Sequence, residues 1–202
     1  MKGYLRADMY AAWKQLWLLL IFLPLMGSIA VFVEKMLFVI SSCMAAAALL
    51  PVILQQYQED SRWPSMAVAL PGGRRAYVGA KYIVSVLTVG IISAIVAPCL
   101  CFRALRGLSP WEDTVVQMAN LPALGILGIA ISLPMSFRQN LKFSYFISFF
   151  LVFFLFGMQQ HVNGLNRPLL LSLPAYILYP VALAALAISW VPSVLSFEKR
   201  EF

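Results

Sequence analysis

The chain has 202 residues, of which 62% are hydrophobic and only 11% are charged, and its formal net charge at pH 7 is +7. Soluble domains have roughly 45–50% apolar and about 25% charged residues, so this composition excludes a soluble enzyme, a disordered chain and a disulfide scaffold. The apolar content is close to what about six membrane helices of ~20 residues each require. The composition therefore predicts an all-α polytopic membrane protein.

Residues 1–15 have the pattern of an amphipathic helix, because apolar residues recur at helical spacing and charged residues supply another side. The apolar set is Leu5, Met9, Ala12, Trp13 and Leu16, and the charged set is Lys2, Arg6, Asp8 and Lys14. Such a helix would lie along the inner leaflet with its cations near anionic headgroups. The alternative is a simple cytoplasmic extension of the first membrane helix.

Six apolar runs follow, each close to the ~20 residues needed for a helical crossing. They lack the two-residue alternation of a membrane barrel, so we expect six transmembrane helices within one transmembrane domain, residues 1–202. The runs are Leu16–Val33, Met36–Leu54, Tyr82–Phe102, Val115–Met135, Phe143–Met158 and approximately Leu169–Val194. Aromatic residues near the run ends are expected to be interfacial anchors, namely Trp13, Trp17, Tyr82, Trp111 and Trp190.

The basic residues set the predicted orientation. With a cytoplasmic N-terminus, the inner segments hold 11 Lys and Arg residues and the outer segments hold 4, in agreement with the positive-inside rule. Both termini are therefore expected in the cytoplasm. Because the cations are spread over membrane-proximal loops, no nucleic-acid partner is expected. The inner set is Lys2, Arg6, Lys14, Arg62, Arg74, Arg75, Lys81, Arg138, Lys142, Lys199 and Arg200, and the outer set is Lys35, Arg103, Arg106 and Arg167.

The sequence lacks the groups that catalysis or ion coupling usually requires. None of its eight acidic residues lies mid-span, whereas ion-coupled carriers usually place carboxylates or His there. Broken helices could still coordinate an ion through backbone carbonyls. The single His, His161, belongs to no H-E-x-x-H motif, and the chain contains neither a G-x-S-x-G elbow nor a P-loop. We therefore expect no enzymatic activity, no metal and no cofactor bound by this chain.

The longest and most polar connection is the loop of residues 55–81, between the second and third runs. It combines a helix N-cap, a short apolar stretch, a Pro-Gly-Gly turn signal and a basic end. Apolar residues rimmed by charges indicate a docking surface for another protein. The alternative is a loop packed on its own membrane helices with its cations at the headgroups. In chain order the residues concerned are Ser61, Arg62, Trp63, Met66, Leu70, Pro71, Gly72, Gly73, Arg74, Arg75 and Lys81.

A more specific pattern runs through this loop: an acid, a tryptophan four residues on, a leucine-proline, a basic pair and a lysine-tyrosine. The residues are Glu59, Trp63, Leu70, Pro71, Arg74, Arg75, Lys81 and Tyr82. Placed between the second and third of six spans, they resemble the small bacterial ABC-2 type permeases, the membrane subunits of ATP-binding-cassette transporters. The branch that looks closest exports phenol-soluble modulins and related antimicrobial peptides. Gly73 departs from the pattern, since that family usually has Ser there.

The resemblance implies a half-transporter in a bacterial cytoplasmic membrane. Two permeases, identical or related, would pair around a central path, and each would sit on a separate cytoplasmic ATPase that binds ATP and Mg²⁺. Part of the loop, from Glu59 to Leu70, would form a cytoplasmic coupling helix that docks on the ATPase. The absence of mid-membrane charge favours a hydrophobic or amphipathic cargo, such as a peptide.

Three sets of site residues follow from this scheme. The first contacts the ATPase, the second anchors the loop at the membrane, and the third lines the substrate path. The coupling set is Glu59, Arg62, Trp63 and Met66; the anchoring set is Leu70, Pro71, Arg74, Arg75 and Lys81; the path set is Phe146, Phe149, Phe150 and Phe153. For the Phe run the alternative is lipid-facing packing, because aromatic stripes at helical spacing are often structural.

A second hypothesis is a non-transporting membrane scaffold or sensor that docks a cytoplasmic partner through the same loop, residues 55–81. It shares the fold and the docking surface with the first hypothesis. The two differ in one respect, because the scaffold predicts no ATP-dependent movement of cargo in reconstituted vesicles.

Overall fold

The computed structural model describes residues 73–137 and 174–199, together with the single positions 10, 49, 52, 53, 55 and 150. Three long helices occur in these ranges, α1 (Gly73–Leu105), α2 (Trp111–Ser136) and α3 (Ala175–Glu198). Each is long and apolar enough to cross a membrane, and no strand occurs in the part of the chain that is described. The prediction of an all-helical membrane protein is therefore confirmed.

The three helices correspond to the third, fourth and sixth apolar runs. The predicted first, second and fifth spans fall mostly or wholly outside the described residues, as do the amphipathic segment 1–15, apart from Tyr10, and the coupling helix between Glu59 and Leu70. These elements remain predictions.

Helix α1 is longer than the apolar run from which it was predicted. It has 33 residues, which at 1.5 Å per residue give about 50 Å, whereas a hydrocarbon core is about 30 Å thick. The apolar run Tyr82–Phe102 has about the length of that core, so we expect residues 73–81 to extend past it as helix. Its first residue, Gly73, has a φ of +63°, a backbone conformation that favours glycine. The family that the loop resembles usually has Ser at this position.

A tight turn joins α1 to α2. Gly107 has a φ of +71° and its N–H donates to the carbonyl of Ala104 at 3.0 Å, while the N–H of Leu108 donates to the carbonyl of Arg103 at 3.2 Å. This is a Schellman motif, which satisfies carbonyls that the helix end leaves without partners. At the start of α2, Glu112 and Asp113 lie in the first turn, where negative charge is favourable for the helix dipole.

Contacts between side chains show how the three helices are arranged. Tyr77 near the start of α1 stacks on Phe197 near the end of α3, with ring centroids 5.0 Å apart. At the other end, the hydroxyl of Tyr179 donates to the carbonyl of Ala119 at 2.9 Å. Helices α2 and α3 are therefore parallel, and α1 is antiparallel to both. We call the end where α1 begins and α2 and α3 finish the Gly73 end, and the opposite end the Gly107 end.

Polar side chains within the helices bond to their own backbone. The hydroxyl of Ser85 donates to the carbonyl of Lys81 at 2.7 Å, and that of Thr88 to the carbonyl of Val84 at 2.9 Å. In a membrane these bonds keep hydroxyl groups from remaining without a partner. Five prolines interrupt the backbone hydrogen bonding, which membrane helices tolerate better than soluble ones. They are Pro98, Pro122, Pro134, Pro180 and Pro192.

The turn at Gly107 gives a first prediction. Gly107→Ala should lower the free energy of unfolding by about 1–2 kcal/mol, because an L side chain is strained in the left-handed region. An added Cβ meets nothing within 4 Å, so the effect is one of backbone conformation alone.

Gly90→Ala is the matched control, since Gly90 lies within α1 and an added Cβ there also meets nothing within 4 Å. Alanine is the better helix former, so this variant should be neutral or stabilising by up to about 1 kcal/mol. Thermal unfolding in detergent micelles measures both. Equal losses in the two variants would contradict the conformational explanation.

Candidate functional site

Four of the predicted site residues lie among those that the structure describes. Arg74, Arg75 and Lys81 belong to the first turns of α1, and Phe150 is helical and 62% exposed. The other predicted site residues lie outside the described ranges, and their roles remain predictions. They are Glu59, Arg62, Trp63, Met66, Leu70, Pro71, Phe146, Phe149 and Phe153.

The two arginines at the start of α1 contact the last residue of α3. The guanidinium of Arg74 donates to the backbone carbonyl of Glu198 through Nη1. Arg75 Nε donates to the carboxylate Oε1 of Glu198 at 3.2 Å. A helix C-terminus has carbonyls without partners and a partial negative charge, so cations are favourable there. Because the side chains of Arg75 and Glu198 are 75% and 37% exposed, their ion pair contributes only about 0–1 kcal/mol.

A buried aromatic cluster lies at the same end of the bundle. Phe197 stacks on Tyr77 with an interplanar angle of 19°, and it meets the ring of Phe137 edge-on with centroids 5.5 Å apart. All three rings are fully buried. Lys81 is 2% exposed, and its Nζ lies 5.3 Å from the centroid of the Tyr77 ring. Phe197 therefore connects α3 both to α1 and to the C-cap residue of α2.

The residue that begins the predicted loop also contacts this end of the bundle. Gln55 is fully buried, and its Oε1 accepts a hydrogen bond from Ser136 Oγ at 3.3 Å. The same hydroxyl lies 2.7 Å from the carbonyl of Leu133, so its proton is shared between two acceptors. Gln55 is thus held against the last residue of α2.

One turn further along α1, Tyr82 makes a buried polar contact with α3. Its hydroxyl lies 3.0 Å from Ser189 Oγ and 2.8 Å from Ser193 Oγ. Both serines donate to carbonyls of their own helix, so the single proton of the Tyr82 hydroxyl is shared between their two oxygens. The expectation that Tyr82 is an interfacial anchor is therefore wrong. Tyr82 lies at the end of an apolar run, and its side chain nevertheless points into the helix bundle, because two serines of α3 supply hydrogen-bond acceptors at that depth.

Sequence reasoning missed several residues that meet at the Gly73 end. Ser189 and Ser193 are four residues apart, a spacing that places both hydroxyls on one face of α3 and could have marked them. Phe197 and Tyr77 gave no comparable signal, because each lies outside the apolar run that predicted its helix. The residues concerned are Gln55, Tyr77, Ser136, Phe137, Ser189, Ser193, Phe197 and Glu198.

The Gly73 end brings together buried rings and hydrogen-bonded side chains from three helices. Among the described residues there is no group of three or more His, Cys, Asp or Glu that could hold a metal ion. What the site offers is a set of buried ring contacts and hydrogen bonds that join helix ends.

The chain was compared with protein families, curated proteins and solved structures. A family model described as ABC-2 family transporter protein matches residues 4–198, which is nearly the whole chain. The matched region includes α1, α2, α3 and the loop of residues 55–81. No curated protein and no solved structure matches the chain.

The buried hydroxyl cluster gives a second prediction. Tyr82→Phe should lower the free energy of unfolding by about 0.5–1.5 kcal/mol, since it removes a hydrogen bond between membrane helices. Ser193→Ala should have a similar effect. The double variant should lose less than the sum of the two, because both single changes remove the same bond.

Tyr176→Phe is the matched control, because Tyr176 is exposed in the first turn of α3. It should leave stability unchanged. Unfolding in mixed micelles measures all four variants. Strict additivity of the Tyr82 and Ser193 changes would show that the two hydroxyls do not interact.

Proposed function

The chain belongs to the ABC-2 transporter family, and from this premise we propose that it is one permease subunit of an exporter, paired with a second permease and two cytoplasmic ATPases. Members of the family are the membrane components of ABC transporters and depend on a separate ATPase. The observation that carries the proposal is the family match over residues 4–198. Three apolar helices of membrane-spanning length agree with it.

The proposed cargo is a hydrophobic or amphipathic molecule, such as a peptide, moved out of the cell. The apolar runs contain no carboxylate that would bind a coupling ion, which favours such a cargo over a small ion. The loop pattern, with its tryptophan and leucine-proline, supports the branch that exports phenol-soluble modulins and related peptides. We also propose that the Phe run lines the substrate path. Phe150 is the member of that run that the structure describes, and its side chain is exposed.

The proposed dock for the ATPase is the loop between Gln55 and α1. Gln55 and Gly73 lie at the same end of the bundle, so the intervening residues 56–72 begin and finish on one side. The excess of basic residues in the predicted inner segments supports placing that side in the cytoplasm. Glu59, Arg62, Trp63 and Met66 would contact the ATPase. Leu70, Pro71, Arg74, Arg75 and Lys81 would anchor the loop, and ATP with Mg²⁺ would bind only to the partner.

Binding to the ATPase tests the docking surface. Trp63→Ala and Arg62→Glu should each weaken capture of the co-expressed ATPase by about tenfold or more, because a buried aromatic anchor and a charge contact are typical hot spots. Two changes of the same type at the Gly107 end are matched controls, Trp111→Ala and Arg106→Glu. Trp111 is 51% exposed, so its loss should not disturb the helices.

Undiminished ATPase capture by both loop variants would contradict the docking surface while leaving the family membership intact. Transport is tested separately, by ATP-dependent uptake of a fluorescent amphipathic peptide into inside-out vesicles that contain the complex. Binding of the ATPase without any ATP-dependent movement of cargo would favour the scaffold or sensor over the exporter.

A further inference from the structure

Both ends of the segment 56–72 are held by the helix bundle. At its entry, Gln55 is fully buried and accepts a hydrogen bond from Ser136, the last residue of α2. The segment 56–72 therefore begins directly after a residue whose side chain is hydrogen-bonded to the last residue of α2. A displacement of the segment at this end must either move the end of α2 or break that bond.

The exit of the segment is held by a different helix. Tyr77, one turn into α1, is fully buried against Phe197 of α3. Arg74 and Arg75, closer to the segment, bond to the carbonyl and the carboxylate of Glu198. The stacked rings exclude water and supply most of the stabilisation, since exposed ion pairs contribute little.

The two holding helices also contact each other at this point. Phe137, the C-cap of α2, lies edge-on to Phe197 with centroids 5.5 Å apart. These contacts form a chain that runs from Gln55 through the end of α2 and Phe197 of α3 to Tyr77 of α1. The Tyr82 hydroxyl, bonded to Ser189 and Ser193 one turn deeper, opposes sliding of α1 along α3.

We propose that these contacts form a stem clamp, made of Gln55, Tyr77, Ser136, Phe137 and Phe197, that makes the Gly73 ends of α1, α2 and α3 move as one body with the segment 56–72. The proposal rests on the proposed function, in which that segment meets the ATPase. Its five members are positioning residues, because they act through the segment and the helices and do not contact nucleotide.

The clamp has a mechanical consequence. The segment is covalently continuous with Gln55 at its entry and with α1 at its exit, so a push on it acts first on these two points. With the clamp, the same push also reaches α2 through Ser136 and α3 through Phe197. Packed interfaces transmit such displacements as rigid bodies because interiors are close-packed and resist compression. The ATPase stroke would then move three helices together.

Loss of the clamp should uncouple transport from ATP hydrolysis. Ser136→Ala and Phe197→Ala are compared with Ser85→Ala, a buried serine that bonds to its own helix, and Leu195→Ala, an exposed residue of α3. Each is purified with the ATPase and placed in vesicles with a fluorescent amphipathic peptide. We expect the clamp variants to bind ATPase and hydrolyse ATP like the controls. Their peptide uptake per ATP hydrolysed should be lower by about fivefold or more.

Uptake per ATP equal to that of the controls would overturn the clamp. If gel filtration shows that Phe197→Ala does not fold, the clamp is tested by Ser136→Ala and by a cross-link between α1 and α3. In a chain whose Cys43, Cys99 and Cys101 are replaced by Ala, Tyr77→Cys and Phe197→Cys are joined by a short bis-thiol reagent that reductant cleaves. The same vesicles are assayed before and after cleavage.

The clamp predicts that the cleaved pair, which lacks both rings, takes up about fivefold less peptide per ATP than the controls, and that the joined pair recovers uptake because the link replaces the ring contact. Activity that appears only after cleavage would show that α1 and α3 must separate, and would overturn the clamp, as would failure of the pair to cross-link. Wild-type vesicles that hydrolyse ATP without moving peptide would contradict the cargo alone, and a pair that hydrolyses ATP only after cleavage would still overturn the clamp. A wild-type chain that captures no ATPase would overturn both proposals.

Discussion

Inside a hydrocarbon layer, backbone and hydroxyl groups have no water to bond with, and this constraint accounts for much of what the described helices do. Thr88 and Ser93 donate to carbonyls four residues earlier in α1. Where a helix ends, another part of the chain supplies the bond. The turn at Gly107 satisfies carbonyls at the end of α1, and the side chain of Arg74 satisfies one at the end of α3.

The same constraint makes the contacts between helices specific. Apolar side chains gain little from contacting each other in place of lipid, because lipid tails are as apolar as leucine. The contact of the Tyr82 hydroxyl with Ser189 and Ser193 requires a specific position of α1 along α3, because the hydroxyl must lie within hydrogen-bonding distance of both oxygens. Together with the stacking of Phe197 on Tyr77, it fixes α1 against α3 at the end of the bundle next to the loop.

The sequence predicted the class of fold well and the contacts poorly, and particular residues show why. Apolar runs are a one-dimensional property, so α1, α2 and α3 were found near their observed positions. The start of α1 was placed at Tyr82 because the apolar run begins there, whereas the helix begins at Gly73. Tyr82 itself was expected at the membrane interface, and it is buried against two serines of α3. Its partners are more than 100 residues away along the chain, beyond the reach of a local pattern.

By itself the sequence therefore determined that the chain lies in a membrane and that it crosses it as helices. It describes a polytopic helical membrane protein without mid-span acids, whose loop at residues 55–81 resembles that of ABC-2 permeases. Composition and periodicity suffice for this, because a hydrocarbon layer permits long apolar runs of this kind only as helices. The tertiary structure alone decided which helix ends meet. Phe197 is an ordinary aromatic residue in the sequence, and its place between Tyr77 and Phe137 exists only once three helices have packed. Contact between distant segments depends on their relative orientation, which no local property of the chain encodes.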